Sequence, residues 1–258
     1  MLLATWNVNS LKARLPRVLE FLDAHAPDVL CLQETKARAD TLPRAELEDA
    51  GYALADHSGG PQAGVAILAR RETPPTEVTA GLPGEVRSDE ARWVEATVAG
   101  VRVASAYVPN GRALDHPVFA EKLAFLEAMA ERVAELSAPL VVAGDLNVAP
   151  ADLDIYDPKL FTGTTHTSEP ERVRLERLLD AGLIDAFRHL DPDSPGFTWW
   201  DYRAGHFHKG LGMRIDLTLL SADLAERCEQ CGIDRDFRKG KKPSDHAPLL
   251  TRLREEPA

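Results

Sequence analysis

A carboxylate and an amide stand two residues apart at the end of an apolar run. The segment LVVAGDLN, residues 140–147, stays apolar or small until Asp145 and Asn147. Such a run predicts a short buried strand, which Pro139 and Pro150 delimit because proline cannot donate to a sheet. Side chains two residues apart in a strand point to the same side, so this pair can hold one water or one substrate group. Taken alone, the pattern also fits an Asp-Asn turn that closes a strand.

Polar residues end several other predicted strands in the same way. They are Asn7, Glu34, Tyr107, Asp216 and the pair Asp245 and His246. Strand ends converge on a common edge of a sheet, so these distant residues are predicted to meet there. Oxygen ligands from Asn, Glu and Asp suit a hard cation such as Mg²⁺ or Mn²⁺. His246 beside carboxylates favours a cationic imidazole suited to a phosphoryl oxygen, although an isolated histidine of this kind is more often a core residue.

Hydrophobic periodicity predicts the elements that position these residues. Strands are predicted at Leu2–Asn7, Val29–Gln33, 64–68, Trp93–Val98, Val101–Tyr107, 140–147, around Thr198, at 215–220 and at Leu249–Leu253. Helices are predicted after a Ser10 N-cap, after Pro117 and at 169–181. The strands on either side of Ala99 and Gly100 form a hairpin, whereas others alternate with helices. This mixture predicts an α/β fold with mixed sheets covered by helices and excludes a purely parallel doubly wound sheet.

Length and composition suit one compact domain. The chain has 258 residues, of which 44% are hydrophobic, and no linker or repeat divides it, so a single domain over 1–258 is expected. The first residues turn polar too soon for a signal peptide, and no apolar run approaches the roughly 20 residues of a membrane span. We therefore expect a cytoplasmic monomer with no membrane association. Cys228 and Cys231 lack the second pair that a zinc ribbon needs, and are interpreted as incidental thiols.

The charge is unevenly distributed along the chain. A formal net charge of −11 argues against indiscriminate binding of nucleic acid, because phosphate affinity comes from lysine and arginine. Basic residues nevertheless cluster beside the polar motifs, namely at Lys12, Arg14 and Arg17, at Lys36 and Arg38, and at Arg235, Arg238, Lys239, Lys241 and Lys242. Each cluster alone fits solvated loop charges. Together they predict a positively lined cleft on an otherwise repulsive surface.

Seven short motifs now stand in order along the chain. They are WNVNSL at 6–11, LQETK at 32–36, YVPNG at 107–111, GDLN at 144–147, TWWDY at 198–202, RID at 214–216 and SDHAP at 244–248. In this order they resemble the exodeoxyribonuclease III type of abasic-site (AP) endonucleases, within the DNase I-like endonuclease/exonuclease/phosphatase superfamily. The resemblance runs over nearly the whole chain. It implies a four-layer α/β sandwich, with two packed mixed sheets flanked by helices and the site at one edge.

The resemblance also implies an activity and a division of roles. The activity is Mg²⁺-dependent hydrolysis of double-stranded DNA 5′ to abasic sites, with 3′-5′ exonuclease and 3′-end-cleaning activity, and Mn²⁺ is an alternative metal. Glu34 is implied as the principal metal ligand, with Asn7, Asp145, Asn147 and Asp245 close to the ion or its waters.

The remaining roles concern water and phosphate. Asp145 is implied to activate the attacking water and Asn147 to hold it. Asp216 is implied to orient His246, and His246 with Tyr107 to stabilise charge on the phosphate. Asn110 adds a further donor to that phosphate.

The same resemblance assigns specificity to aromatic and apolar residues. Trp199, Trp200 and Met213 are implied to form a pocket for a flipped-out sugar that lacks its base, with Ile215 beside them and Arg214 also binding substrate. Ile215 fits a core position equally well. Met213 and Gly210 depart from residues common in the family, and they lie in or next to the loop at 203–212 that should insert into DNA. The balance between abasic-site incision and 3′-end trimming is expected to depend on this loop.

Two rival functions fit part of the pattern. A phosphatase or phosphodiesterase for small or lipid phosphates would share the metal and His-Asp machinery, but it would have less use for the basic clusters and for Trp199 and Trp200. A non-catalytic DNA-binding relative would be expected to lose Glu34, Asp145 or His246, and all three are present.

Overall fold

Two sheets of six strands each form the centre of the protein, which a computed structural model describes over residues 1–137 and 139–255. The first sheet contains β1 (Leu2–Asn7), β2 (Val29–Gln33), β3 (Tyr52–His57), β4 (Val65–Arg70), β11 (Cys228–Ile233) and β12 (Leu249–Leu253), in the spatial order β11-β12-β1-β2-β4-β3. The second contains β5 (Thr76–Ala80), β6 (Trp93–Val98), β7 (Val101–Tyr107), β8 (Leu140–Asp145), β9 (Leu183–Asp185) and β10 (Asp216–Ser221), in the order β5-β6-β7-β8-β10-β9. The pairs β1–β2 and β7–β8 are parallel and their other neighbours antiparallel, so both sheets are mixed, as predicted.

Helices lie on the outer faces and in the connections. They are α1 (Leu11–His25), α2 (Arg44–Asp49), α3 (Pro117–Glu135), α4 (Glu169–Asp180), α5 (Ala186–Leu190), α6 (His206–Lys209) and α7 (Ala222–Ala225), with 3₁₀ turns at Ala39–Thr41, Asp152–Asp154, Pro158–Phe161, Arg203–Gly205 and Arg235–Arg238. Ser10 caps α1 by accepting the backbone N–H of Ala13, and Pro117 occupies the first turn of α3. Across residues 1–137 and 139–255, no helix combines the length and the apolar character that crossing a membrane requires.

Three apolar clusters show how the layers pack. One lies between the sheets and contains residues of both, such as Val29 and Ile67 from the first and Val103 and Val141 from the second. The others join α1 and α2 to the outer face of the first sheet, and α3 and α4 to the outer face of the second. The four-layer α/β sandwich is therefore confirmed. That residues 1–258 form one domain stays a prediction.

The three cysteines contribute to the core between the sheets. Cys31 and Cys228 are buried members of that cluster, and the partly buried Cys231 packs against it. All three thiols are free. Their positions agree with the interpretation that they are incidental thiols which pack as small apolar side chains.

The predicted strand around Thr198 is wrong. Its backbone and that of Trp199 bond to Met213, but these contacts are single bridges and not a ladder. The Thr198 hydroxyl instead accepts the backbone N–H groups of Ile215 and Asp216 at 3.2 and 3.1 Å. This segment is therefore irregular, and it is hydrogen-bonded to the first residues of β10 through the Thr198 side chain.

Candidate active site

The polar ends of the central strands meet at one edge of the sandwich. Asn7 ends β1, and Glu34 directly follows the parallel neighbour β2. In the second sheet, Tyr107 and Asp216 both lie opposite Asp145 in register. Because β1 packs across β8 and β10, the strand ends of both sheets face one cleft. The convergence predicted from the sequence is therefore present.

Asn7 links the acids of the two sheets. Its buried Nδ2 donates to Glu34 Oε1 and to Asp145 Oδ2, both at 2.9 Å. Its Oδ1 accepts the backbone N–H of Asn9 at 3.0 Å. In this orientation Asn7 is a donor that holds two carboxylates together, and its own oxygen is engaged. That Asn7 lies beside a metal ion stays a prediction.

His246 is held between two buried carboxylates. Its Nδ1 lies 2.8 Å from Asp216 Oδ2, and its Nε2 lies 3.8 Å from Asp145 Oδ2. A carboxylate only accepts, so Asp216 places a proton on Nδ1 and fixes the orientation of the ring. The other ring nitrogen then faces the cleft beside Asp145, as expected for a group that meets a phosphate oxygen.

Burial and charge set the protonation of this pair. Burial raises the pKa of Asp145 to about 7, and the charge of Asp216 acts in the same direction, whereas His246 opposes it. Burial alone would lower the pKa of His246, but the carboxylates of Asp216 and Asp145 outweigh it and raise the pKa to about 10. The imidazole is thus the charged partner, and Asp145 titrates near neutrality, where a general base is most effective.

Asn147 is tied to Asp145 and to the loop after β7. Its backbone N–H donates to Asp145 Oδ1 at 3.0 Å, and its Nδ2 donates to Val108 O at 3.0 Å. Asn110 Nδ2 lies 3.3 Å from Asn147 Oδ1. Asn147 adopts a left-handed backbone conformation with φ of 52°, which for a residue other than glycine is a strain that clusters at functional sites. The two amides therefore form one row beside Asp145.

Tyr107 stays a neutral hydrogen-bond donor. Burial raises its pKa well above the ordinary value, and the charges of Glu34 and Asp145 act in the same direction. The Arg92 guanidinium stacks on its ring at 4.6 Å and donates to its carbonyl oxygen at 3.3 Å. The phenol is therefore fixed in place and protonated, as its predicted contact with phosphate requires.

Asp245 and Glu34 are joined through Asn9, which sequence reasoning missed, and through Lys36, which belongs to a basic cluster that was predicted to line the cleft. Asn9 Nδ2 donates to Asp245 Oδ1 at 3.0 Å, while Lys36 Nζ donates to Asn9 Oδ1 at 2.7 Å and pairs with Glu34 Oε2 at 2.6 Å. Asn9 stands two residues after Asn7 in the WNVNSL motif. That spacing, which drew attention to Asp145 and Asn147, was the available signal.

Asp245 remains charged in this setting. Burial would raise its pKa, but the charge of His246 and the bonds from Trp199 and Asn9 outweigh burial and lower the pKa. Trp199 Nε1 donates to Asp245 Oδ2 at 3.1 Å. The tryptophan therefore connects the acid cluster to the apolar wall described below.

The acid cluster fits a hard cation. Four carboxylates meet at the cleft, those of Glu34, Asp145, Asp216 and Asp245. The ligand atoms of Asp145, Asp216 and His246 lie within 4.8 Å of one another and form one group that could hold a metal. Asp216 and His246 are already bonded to each other, however, whereas Glu34 and Asp245 form a second pair of acids that Lys36 and Asn9 link. Oxygen donors without thiolates suit a divalent ion such as Mg²⁺ or Mn²⁺.

Three of the residues predicted to form an apolar pocket, Trp199, Met213 and Ile215, pack together in the structure, and their binding of a sugar without its base stays a prediction. Met213 and Ile215 belong to a small buried cluster with Ala149 and Ile155, and the partly exposed Trp199 packs against this cluster. Trp199 and Met213 also pair through their backbones. Of the two adjacent tryptophans, Trp199 is therefore the one that reaches the cleft, and Met213 packs behind it.

Trp200 does not line that pocket, so its predicted substrate contact is wrong. Its side chain is 1% exposed and is covered by the edge of Phe207, 5.1 Å away between ring centroids, and by Arg235 at 5.3 Å. In this irregular segment Trp199 faces outward, and Trp200 faces inward. Trp200 fills the interior under the loop at 203–212.

Arg214 is also buried, and its predicted role in substrate binding is wrong. Its Nε donates to Asp154 Oδ1 at 2.6 Å and an Nη donates to Asp185 Oδ2 at 2.7 Å. A guanidinium that is 0% exposed and paired with two carboxylates in the interior does not reach a substrate phosphate. Arg214 instead bonds the loop at 151–156, through Asp154, to the segment that carries Met213.

The basic clusters divide into exposed and packed residues. Lys12, Lys239, Lys241 and Lys242 are exposed, and we call them the basic rim. Arg17 donates to the backbone of Asp236 and Lys239, so the cluster of α1 and the cluster at 235–242 form one surface. Arg238 is buried, and it donates to the carbonyl oxygens of Asp245 and Trp200 at 3.3 and 3.2 Å. Arg238 therefore holds the backbone of Asp245 and Trp200 together from the interior side of the site.

Lys122 is a second residue near the site that sequence reasoning missed. It lies on the buried face of α3, with its ammonium 2.7 Å from the carbonyl oxygen of Asn147. The available signal was its position three residues after Phe119 and four before Leu126, inside an apolar face where a lysine is out of place.

Comparisons with known proteins agree with this geometry. A model described as the Endonuclease/Exonuclease/phosphatase family matches residues 4–246. Exodeoxyribonuclease III of Haemophilus influenzae is 34% identical, over 95% of this chain and 97% of that protein. The structure of the 3′ phosphatase NExo from Neisseria bound to product DNA hairpin has a TM-score of 0.96 at 39% identity, covering 99% of this chain and 100% of that one. An AP endonuclease structure from Archaeoglobus fulgidus gives 0.94 at 34% identity, covering 98% and 99%. By sequence and fold, the chain belongs to the endonuclease/exonuclease/phosphatase family, in its branch of exodeoxyribonuclease III-type DNA-repair nucleases, and it is a metal-dependent hydrolase.

Proposed function

We propose that this nuclease hydrolyses the backbone of double-stranded DNA 5′ to abasic sites and trims or cleans 3′ ends, with Mg²⁺ as its metal and Mn²⁺ as an alternative. The observation that carries the proposal is the position of His246 between Asp216 and Asp145, with Glu34 joined to the same base through Asn7. A phosphodiester is anionic and repels hydroxide, so a base and a cationic partner must act together. The relatives named as exodeoxyribonuclease III, 3′ phosphatase and AP endonuclease support DNA as substrate.

The chemistry divides among residues of this chain. Asp145 takes a proton from the attacking water, and Asn147 holds that water next to the base. The water oxygen bonds to phosphorus while the bond to the 3′ oxygen breaks, and the departing 3′ oxygen takes a proton from solvent to become a 3′-hydroxyl. Protonated His246 and the phenol of Tyr107 donate to phosphate oxygens as their charge grows. Asn110 extends this row of donors.

A divalent cation completes the charge balance. Glu34 and Asp245 would hold it, with Asn7 alongside, and it supplies Lewis-acid stabilisation of the phosphate charge when bound. Lys36 pairs with Glu34 at 2.6 Å and so limits the negative charge of this group. Phosphatase action on small or lipid phosphates is not favoured, because the relatives named above act as nucleases or on DNA ends. A cytoplasmic location and a monomeric state stay predictions.

One experiment tests the proposed substrates together. A duplex with one abasic analogue, a duplex with a 3′-terminal phosphate and a set of inositol phosphates are each incubated with the enzyme, with and without Mg²⁺. We expect a cut on the 5′ side of the abasic analogue and loss of the 3′ phosphate, each only with metal. Release of phosphate from inositol phosphates with both duplexes intact would refute the proposal.

The basic rim predicts how an acidic protein binds DNA. Lys241→Ala with Lys242→Ala should weaken binding to intact and abasic duplex by similar factors, because lysines on phosphates do not read the lesion. The slope of log affinity against log salt should fall by up to about two, at about 0.9 per phosphate contact. The measurement is a titration of both duplexes at several salt concentrations.

A matched control for these lysines lies at the opposite ends of the strands of the first sheet. Arg70 and Arg71 are at the end of β4 that is remote from Glu34, since β2 and β4 run antiparallel. Replacing both with alanine should leave the salt slope unchanged. An equal fall of the slope in both double variants would mean that the basic rim has no special part in binding.

The two neighbouring tryptophans should respond differently to replacement. Trp199→Ala removes the aromatic wall at the cleft and should lower the preference for abasic over intact duplex by about tenfold, in the range of one lost apolar contact with the sugar. Trp200→Ala should instead destabilise the fold by about 3–5 kcal/mol, because it empties a buried site. Competitive binding and thermal unfolding of both variants distinguish these effects. Trp199→Phe keeps an aromatic ring but loses the hydrogen bond to Asp245. It therefore separates the contact of the ring with the substrate from the effect of that hydrogen bond on Asp245.

A further inference from the structure

A buried ion pair lies directly behind the backbone of Asn110 and Asn147. Lys122 of α3 and Glu171 of α4 are both 0% exposed and bond to each other. Burying two charges is costly, and an apolar pair of similar volume is often as stable or more stable. The catalytic steps above use neither residue. The role of the pair must therefore be sought in the residues that it contacts.

The lysine holds the backbone of both site amides. Its ammonium donates to the carbonyl oxygen of Asn147 at 2.7 Å and to that of Asn110 at 3.2 Å. These carbonyls belong to two separate loops, one after β8 and one after β7. Lys122 thus bonds to the backbone of both loops. The side chains of Asn110 and Asn147, which these loops carry, line the cleft.

The glutamate holds a third loop against the same point. Glu171 Oε1 accepts the backbone N–H of His166 and the hydroxyl of Thr165, both at 2.8 Å, and Oε2 accepts the backbone N–H of Ser168 at 3.0 Å. His166 Nδ1 in turn lies 2.6 Å from the Asn147 carbonyl oxygen. Because that oxygen only accepts, Nδ1 is the protonated nitrogen. The Asn147 carbonyl is therefore held by donors from two directions.

The space around the lysine allows little adjustment. A Cβ added at Gly111 would lie 3.0 Å from Lys122 Cδ and 2.7 Å from Thr165 Oγ1. Gly111 has a φ of 91°, so the turn after Asn110 needs glycine both for its conformation and for its contact with the lysine stem. The loop of Asn110, the lysine and the loop of Thr165 are consequently packed as one unit.

We propose that Lys122 and Glu171 are positioning residues that fix the side-chain amides of Asn110 and Asn147 against the reacting phosphate. This inference rests on the proposed function, since it assigns those amides to the phosphate and its water. A shift of about 1 Å in such groups costs up to about 100-fold in rate, even when the altered residue does not touch the substrate. Removing the pair should therefore lower kcat and leave KM for DNA, which the basic rim dominates, nearly unchanged.

The test uses a double variant that removes both charges. Lys122→Met with Glu171→Gln leaves no unpaired buried charge and keeps an acceptor for the loop at 165–168. We expect kcat on the abasic duplex to fall by about 10- to 100-fold, with KM changed by less than about threefold. Glu171→Gln alone, which leaves the lysine on both carbonyls, should give a smaller fall in kcat in the same direction. If the double variant does not fold, Glu171→Asp carries the test through the same fall in kcat at unchanged KM, because it keeps both buried charges and only shortens the acid.

A control variant distinguishes positioning from general stability. Glu95 is also 0% exposed and pairs with Arg102 and Arg132, but it lies on β6 and bonds to none of the site residues. Glu95→Gln should lower the unfolding temperature and leave kcat of the folded enzyme unchanged. If the folded Lys122–Glu171 variants cut as fast as wild type, the positioning role is overturned while the proposed function stands. If wild type cuts neither DNA substrate, the proposed function fails and this inference fails with it.

Discussion

Asp145→Asn is expected to lower the rate of DNA cleavage by at least about 100-fold, the lower end of the range for general acid-base catalysis. The substitution keeps the shape of the side chain but removes the group that accepts the proton of water. It also breaks one hydrogen bond, because Asp145 accepts from Asn7 Nδ2 through one oxygen and from the Asn147 N–H through the other. An amide can accept at only one of these positions.

The same substitution should not lower the stability of the fold. Burial and Asp216 raise the pKa of Asp145 to about 7, so the fold disfavours the charged form at higher pH. A neutral amide avoids that cost, and the unfolding temperature at pH 8 without added metal should equal or exceed that of wild type. Activity is thus maintained at the expense of stability, which is common at functional sites.

Single-turnover kinetics at saturating metal and thermal unfolding measure both effects. Asp56→Asn is the matched control, since Asp56 of β3 is a largely buried aspartate that pairs with Arg44 of α2 and is bonded to Ser58, but to none of the site residues. It should leave the rate unchanged. A full rate for the Asp145 variant would show that another group takes the proton.

The fold and the acid cluster were predictable because their signals are local. β1, β2, β6, β7 and β12 have the predicted bounds, since long apolar or alternating runs were delimited by turn residues. Polar residues at the ends of such runs have no place in a core, so their convergence at one edge followed from strand geometry alone. The hairpin at Ala99 and Gly100 was equally local.

Elements with weak local signals were missed. β5 is exposed along its whole length and carries no apolar alternation, and β9 has three residues. Both are edge strands that form because a neighbour offers an open edge, which is a property of the sheet and not of the segment. The short helix α5 after Asp185 likewise depends on a cap that the sheet positions.

Side-chain direction in irregular segments could not be predicted either. Trp199 and Trp200 are identical in type and adjacent, yet one faces the cleft and the other the core. Arg214 follows Met213 in a motif that suggests recognition, but Asp154 and Asp185 bind it in the interior. Periodicity assigns faces only within helices and strands, so in such segments the tertiary partners decide.

Glu34→Ala is expected to remove most of the activity while leaving the fold intact. The substitution deletes a carboxylate at the cleft, and no apolar core volume is lost. It also leaves Lys36 without its partner at 2.6 Å, so the site loses a negative charge next to a lysine that stays positive. Both changes oppose a divalent cation, and we expect its affinity to fall by more than about 10-fold and the rate at fixed Mg²⁺ by more than about 100-fold.

Glu77 offers a control that is matched in conformation as well as in type. Both glutamates have a left-handed backbone, with φ of 51° at Glu34 and 50° at Glu77, but Glu77 lies on the exposed edge strand β5. Replacing each by alanine therefore perturbs a similar backbone, and only one change alters the acid cluster. Calorimetric titration with Mn²⁺ measures binding directly, and cleavage over a series of Mg²⁺ concentrations measures its effect on rate. Binding and cleavage that match wild type in the Glu34 variant would move the metal to the group formed by Asp145, Asp216 and His246, whereas weakened binding that excess Mg²⁺ partly restores would identify Glu34 as a ligand.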